Sequence, residues 1–161
     1  MRHCLFFLLT LNIACKDKSD SCYPVDGIEQ GTATLSLDGE ALEYEATWLM
    51  AGSSLQLNLE NGQSSMTIRL TQTDDGKTIE EIGETSAVFS IGNPENGTAT
   101  LYPSASSASA TISSEDPGLF TLDSFDENTL TGCFDFTAEA GDGTTYQVST
   151  GLVHAAESEL N

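Results

Sequence analysis

Apolar residues recur at every second position over most of this chain, and that period constrains the fold more than any other feature. Leu35 and Leu37 alternate with Thr34 and Ser36 before Asp38-Gly39. Leu42, Tyr44, Ala46, Trp48 and Met50 then share one parity, with Glu43, Glu45 and Thr47 on the other. Strict alternation marks a strand with one buried face, whereas a helix needs apolar spacings of three and four. An Asp-Gly pair between two such runs provides the positive φ angles of a tight hairpin. The unit repeats in LQLNLENGQSSMTIRL, where Leu55, Leu57 and Leu59 precede Asn61-Gly62, and Met66, Ile68 and Leu70 follow it.

Further along, Asp74-Asp75-Gly76 reads as a looser turn leading into Ile79 and Ile82. Ala87, Phe89 and Ile91 form a short strand, closed by Asn93-Pro94-Glu95-Asn96-Gly97 and resumed by Thr98 to Tyr102. Residues 103–118 read as a long polar loop with a brief strand about Ile112. Leu119 to Phe125 is a strand, Asp126-Glu127-Asn128 a turn, and Leu130 to Ala138 pairs with Thr144 to Val153 across Gly141-Asp142-Gly143. The pattern predicts an all-β domain over residues 31–156, followed by a tail over 157–161. The expected form is an antiparallel β-sandwich or flattened barrel of roughly nine to eleven strands with no substantial helix. Trp48 shares parity with Tyr44 and Ala46, which places it in the core rather than on an exposed sugar-binding platform. Cys133 falls on the opposite parity from Phe134 and Phe136, so it faces outward with Thr131 and Asp135.

The chain has 161 residues, 39% of them hydrophobic, and a formal charge of −20. Residues 19–161 hold 24 Asp or Glu against Arg69 and Lys77, so 2 − 24 = −22. That field repels phosphate backbones and excludes nucleic acid as a partner. Two uses remain for the acids: solubility in a salty or extracytoplasmic setting, or the gathering of a cation.

The N-terminus supplies a location. Met1-Arg2-His3 is a short positive end, and the eleven residues Cys4 to Ala14 (CLFFLLTLNIA) carry no charge. A bilayer span needs about 20 residues, so this run fits the apolar core of a secretory signal over 1–14. A buried strand or helix is the alternative, and the switch to Lys16-Asp17-Lys18-Ser19-Asp20 opposes it. A signal ending in a small residue and Cys resembles the lipobox of bacterial lipoproteins, although Asn12 and Ile13 stand where Leu and Ala or Ser are usual. The resemblance implies diacylation of Cys15, palmitate included, and membrane anchoring through a polar tether over 15–30. A plain secreted protein and an uncleaved anchor are the alternatives. Lys16-Asp17 resembles the acidic export signals of surface lipoproteins in Bacteroidetes-type bacteria. The implied location is the bacterial envelope, on the outer membrane, with the domain facing periplasm or exterior.

With Cys4 removed and Cys15 lipidated, Cys22 and Cys133 remain, an even number suited to an oxidising compartment. Joined, they would close a loop of about 110 residues and stabilise the fold by roughly 4–5 kcal/mol in the chain-entropy model. Two unpaired thiols are the alternative. The last third also resembles an uncharacterised, β-rich family of small Bacteroidetes lipoproteins. The matching positions are Phe125-Asp126, Gly132-Cys133-Phe134-Asp135-Phe136, Gly141-Asp142-Gly143 and Gly151-Leu152-Val153, with an echo of that family's opening in Leu35 to Ala46. The resemblance implies fold and anchoring, and no activity.

Catalytic chemistry finds little purchase. The histidines are His3 and His154, no Gly-x-Ser-x-Gly elbow surrounds a serine, and no phosphate loop, dinucleotide fingerprint or zinc pattern occurs. Calcium wants six to eight oxygens, and Asp74, Asp75, Asp123, Asp126 and Asp142 offer carboxylates on turns without the regular spacing of a calcium loop. Asn96-Gly97-Thr98 reads as a turn rather than a glycosylation site. The expectation is a non-enzymatic, lipid-anchored module without cofactor, its partner an envelope protein or glycan. A calcium- or glycan-binding adhesin-like domain and a carboxylate-based hydrolase are the alternatives.

Overall fold

In a computed structural model, residues 27–82 and 85–158 are described. Ten strands and one helical turn occur among them: β1 (Thr32–Leu37), β2 (Glu40–Ala51), β3 (Ser54–Glu60), β4 (Ser65–Leu70), α1 (Ile79–Ile82), β5 (Ala87–Ile91), β6 (Gly97–Tyr102), β7 (Ala110–Ile112), β8 (Gly118–Phe125), β9 (Thr129–Ala140) and β10 (Thr145–Glu157). The expected signal over 1–14, Cys15, Cys22 and most of the tether lie outside the described residues, as do residues 159–161.

The alternation works as expected. Asp38 and Gly39 both take positive φ, 51° and 88°, and fold β1 onto β2 with Leu35 opposite Leu42. β3 and β4 pair across Asn61-Gly62, with Leu57 opposite Ile68. Asn61 Oδ1 accepts the backbone N–H groups of Gln63 and Ser64, which holds that turn.

Pairing then runs β1–β2–β3–β4–β6–β7–β9–β10 and returns to β1, every step antiparallel. The sheet therefore closes on itself as a barrel. Between β6 and β9 the gap is filled at one end by β7 and at the other by β5 and β8. Closure removes the free edges that would otherwise template aggregation.

Two elements depart from simple alternation. The run from Ala87 to Tyr102 steps sideways at 92–96, so that β5 lies parallel to β6, touching it at Ile91 and Gly97, and pairs mainly with β8. Gly92 (φ 114°) donates its N–H to the Gly97 carbonyl across this jog. Ile79 and Ile82 sit on a four-residue helix whose two isoleucines are buried in the core.

One parity of every strand points inward and is almost wholly apolar. Trp48 is buried, as its parity requires, with its ring edge-on to Phe125 at a centroid distance of 4.9 Å. Phe120, Phe134 and Phe136 form a row at 6.0 and 6.2 Å. The row fits because glycines lie against it. A Cβ on Gly151 would meet the Phe134 ring at 2.6 Å, and one on Gly132 would meet the Phe120 ring at 3.0 Å. One on Gly118 would collide with Phe136 and sit 2.6 Å from the Asp135 carbonyl oxygen. These strand glycines have a packing role: at Gly151 and Gly132 a ring lies where a side chain would be, and at Gly118 the Phe136 Cβ and the β9 backbone do.

The outward parity of β2, β3 and β4 is mostly polar, including Glu43, Glu45, Gln56, Asn58, Thr67 and Arg69, and that of β9 carries Asp135 and Glu139, while Val88, Leu119 and Leu152 point outward half-buried. A membrane-spanning barrel needs an apolar outer band, and this surface is the reverse. No helix among the described residues is long and apolar enough to cross a membrane.

Candidate functional site

Every described Asp and Glu is exposed. Their chemistry therefore belongs to the surface, where several of the carboxylates accept hydrogen bonds in or beside turns. Asp126 accepts the N–H groups of Asn128 and Thr129, each at 2.8 Å, and the Thr129 hydroxyl at 3.0 Å. Those donors, led by the Asn128 N–H, hold its carboxyl below the usual range. Asp142 accepts the Thr144 N–H at 2.9 Å, which lowers it likewise. Asp75 is lowered first by the Thr73 hydroxyl and then by Lys77, whose ammonium lies at 3.1 Å. Glu81 accepts from the Thr78 N–H and hydroxyl.

Asp74 is tied furthest from its own turn. Its Oδ1 accepts the Ser90 N–H at 3.0 Å and the Asn96 amide at 2.9 Å, while its Oδ2 accepts the Ser90 hydroxyl at 3.0 Å. The carboxylate thus supplies a partner to β5 on the side away from β8, beside the jog into β6. Asp123 is exposed on β8. Among the described residues no three of His, Cys, Asp and Glu come together as a group that could hold a metal ion. Of the five carboxylates named from sequence as calcium candidates, Asp74 and Asp75 share one turn, Asp123 lies on β8, and Asp126 and Asp142 lie in two further turns.

The lowered carboxyls set an acid sensitivity. Their folded pKa lies below the unfolded one, so the unfolded chain binds more protons in acid. The stability they contribute is present above about pH 4 and is lost as pH falls through the folded values. Asp126→Asn keeps an oxygen to accept the turn's N–H groups while removing the titration. Its melting temperature should lie below wild type at pH 7 and converge on it as pH falls below 4, so that its pH dependence is flatter, as read by thermal melts across pH.

The barrel wall also concentrates like charge. Glu45 and Glu60 are direct cross-strand partners on β2 and β3, an arrangement that costs free energy unless screened. Added NaCl should therefore raise the melting temperature. Glu60→Lys should stabilise the protein at low salt by about 0.2–1 kcal/mol, with the gain shrinking as salt increases.

His154 is the one histidine among the described residues. It is half-buried on the outer face of β10, and its Nδ1 lies 3.1 Å from the Ile28 carbonyl oxygen. Cys133 occupies the outward parity of β9 beside buried Phe134, and its sulfur is engaged rather than free. The buried indole Nε1–H of Trp48 has no hydrogen-bond partner among the described residues; no residue-level signal in the sequence marks that feature.

No protein-family model, curated protein or solved structure matches this chain.

Proposed function

We propose that the chain is a lipid-anchored lipoprotein of a bacterial envelope, held through Cys15, and that its acidic barrel serves as a non-enzymatic binding or structural module. One observation carries the anchoring: the uncharged run Cys4 to Ala14 ends in a small residue, meets Cys15, and gives way at once to KDKSDS. A diacylglyceryl cysteine supplies two acyl chains, each buried CH₂ contributing about 0.8 kcal/mol, and two chains are what stable anchoring requires. The likeness of Gly132 to Phe136 and of Gly151 to small Bacteroidetes lipoproteins supports the same class, and these are the positions that seat the aromatic row.

The module reading is supported by where the carboxylates are. General acid–base work in a hydrolase wants a carboxyl partly withdrawn from water and aimed at a shared point. Here all the described acids are exposed and many serve as turn acceptors. A partner would be met on the outer surface, by an envelope protein or glycan whose chemistry tolerates dense negative charge.

Metabolic labelling with a palmitate analogue tests the anchor. Wild type should incorporate label and Cys15→Ala should lose it; equal labelling of both would refute the reading.

A further inference from the structure

Arg69 is one of two Lys or Arg residues in 19–161, and its surroundings differ from the rest of this surface. It stands exposed on the outward parity of β4, between Gln56 on β3 and Thr98 on β6. Among the described residues no carboxylate forms an ion pair with it, in a chain this rich in acids. Its Nη2 donates instead to the hydroxyl of buried Ser54 at 3.0 Å.

The next outward row is Thr47, Asn58, Thr67 and Thr100, on β2, β3, β4 and β6. Neither this row nor that of Arg69 holds a carboxylate on these four strands. Asn58 Oδ1 accepts the Gln56 amide at 2.9 Å and the Thr67 hydroxyl at 3.3 Å. Both amides are thereby held in place, while the Asn58 Nδ2–H donors and the Gln56 Oε1 acceptor have no described partner. One row further on, Tyr102 on β6 faces Ser65 on β4. Tyr102 is 45% exposed, the most exposed large hydrophobic side chain among the described residues. Arg69 and Tyr102 thus bracket the face, four residues apart along paired strands, about 13 Å.

We propose that the outward face of β3, β4 and β6 binds a short oligosaccharide carrying one sugar-acid carboxylate. The carboxylate takes the Arg69 guanidinium, the hydroxyls of the following sugars meet Gln56, Asn58 and the threonines, and the last ring lies on Tyr102. This rests on the binding-module reading above and names its partner as a glycan; it does not depend on the lipid.

Charge selects the ligand class. A polyanion laid along this face would bring further charges to the row of Glu45 and Glu60, which ends in Tyr102. A single carboxylate meets Arg69 alone, because Glu60 is four residues along the strands and beyond the screening length of about 8 Å in physiological salt. The planar guanidinium binds a carboxylate through two parallel hydrogen bonds, which a sugar hydroxyl cannot match. Fixed amides and hydroxyls suit a ligand whose own groups are hydroxyls, and an exposed aromatic ring offers an apolar surface to the C–H face of a sugar. A lipid or an apolar peptide would need a hydrophobic groove, and Leu49 is the one aliphatic side chain in the two rows.

Binding is read by saturation-transfer NMR on full-length protein extracted in detergent. The probes are sialyllactose and glucuronyl-xylobiose, each with one carboxylate, and their neutral counterparts lactose and xylobiose. At least one acidic sugar should bind about tenfold more tightly than its counterpart, the scale of a charge-assisted hydrogen bond. Arg69→Gln should abolish that preference, and Tyr102→Ala should weaken acidic and neutral sugars alike. Gln147→Glu, exposed on β10, makes the same change in net charge elsewhere and should leave binding unchanged. No binding of either acidic sugar, equal binding of acidic and neutral sugars, or an equal loss in Arg69→Gln and Gln147→Glu would overturn the assignment. The recovered sugars are analysed by mass. Cleaved sugar would overturn the non-enzymatic reading on which the assignment rests, whereas intact sugar without binding overturns the assignment alone.

Discussion

Phe134→Ala should destabilise the protein by about 3–5 kcal/mol, the usual cost of removing a buried phenylalanine. In a domain of this size that corresponds to a fall in melting temperature of about 10 °C or more. The ring is buried, sits between Phe120 and Phe136, and covers Gly151 on the neighbouring strand. Its loss would leave a cavity on both sides and uncover the backbone at Gly151. The barrel offers little relaxation, because β9 is pinned to β8, β7 and β10 along its length. Trp48 gives a convenient readout, since the buried indole should emit to the blue and shift red on unfolding. A loss under 1 kcal/mol in denaturant titrations would mean that the ring does not organise the core.

Gly118→Ala should cost a similar amount by the opposite route. The added methyl would meet Phe136 Cβ and the Asp135 carbonyl oxygen, and a backbone atom cannot swing aside as the end of a side chain can. β8 must separate from β9, with loss of ladder hydrogen bonds, at about 2–3 kcal/mol or more. Gly151→Ala makes the comparison informative, because the three atoms nearest its methyl all belong to the Phe134 ring. Phe134→Leu should therefore rescue Gly151→Ala in a double-mutant cycle, with a coupling of about 1 kcal/mol, and should not rescue Gly118→Ala. Additive losses in the first pair would show that ring and glycine are not packed on one another.

These glycines mark the boundary of what can be read from a single chain. Asp38-Gly39 and Asn61-Gly62 announce themselves, because two-residue hairpins need positive φ and the flanking alternation says where the strands lie. Gly118, Gly132 and Gly151 carry no such label. In one dimension they look like breaks, and only strand pairing brings the Phe120 ring against Gly132, the Phe134 ring against Gly151, and Asp135 and Phe136 against Gly118. Closure is hidden for the same reason. Thr32 pairs with His154, and no local pattern encodes a contact between the two ends of the domain. Alternation alone is thus compatible with a sandwich or a barrel, and the β1–β10 pairing distinguishes them. The sidestep between β5 and β6 was legible as a turn but not as a change of partners.

The carboxylates divide along the same line. That Asp126 and Asp142 occupy turns follows from their neighbours, since both accept N–H groups two or three residues on. The role of Asp74 does not, because Ser90 and Asn96 lie 16 and 22 residues away. The inward parity of Trp48 was readable from Tyr44 and Ala46; its unpartnered Nε1–H was not, because satisfaction of a buried donor depends on the three-dimensional neighbourhood. Outward placement of Cys133 followed from the parity of Phe134 and Phe136, whereas the half-buried Val88, Leu119 and Leu152 around it depend on β5, β8 and β10 converging there.

The central claim is that this acidic barrel is held to an envelope membrane by a lipid on Cys15. Mass spectrometry of the N-terminal peptide from envelope-extracted protein tests it most directly. A mature chain beginning at Cys15 and carrying the mass of a diacylglyceryl group is the predicted result. A chain that retains residues 1–14, or one bearing an unmodified Cys15 thiol, would contradict it.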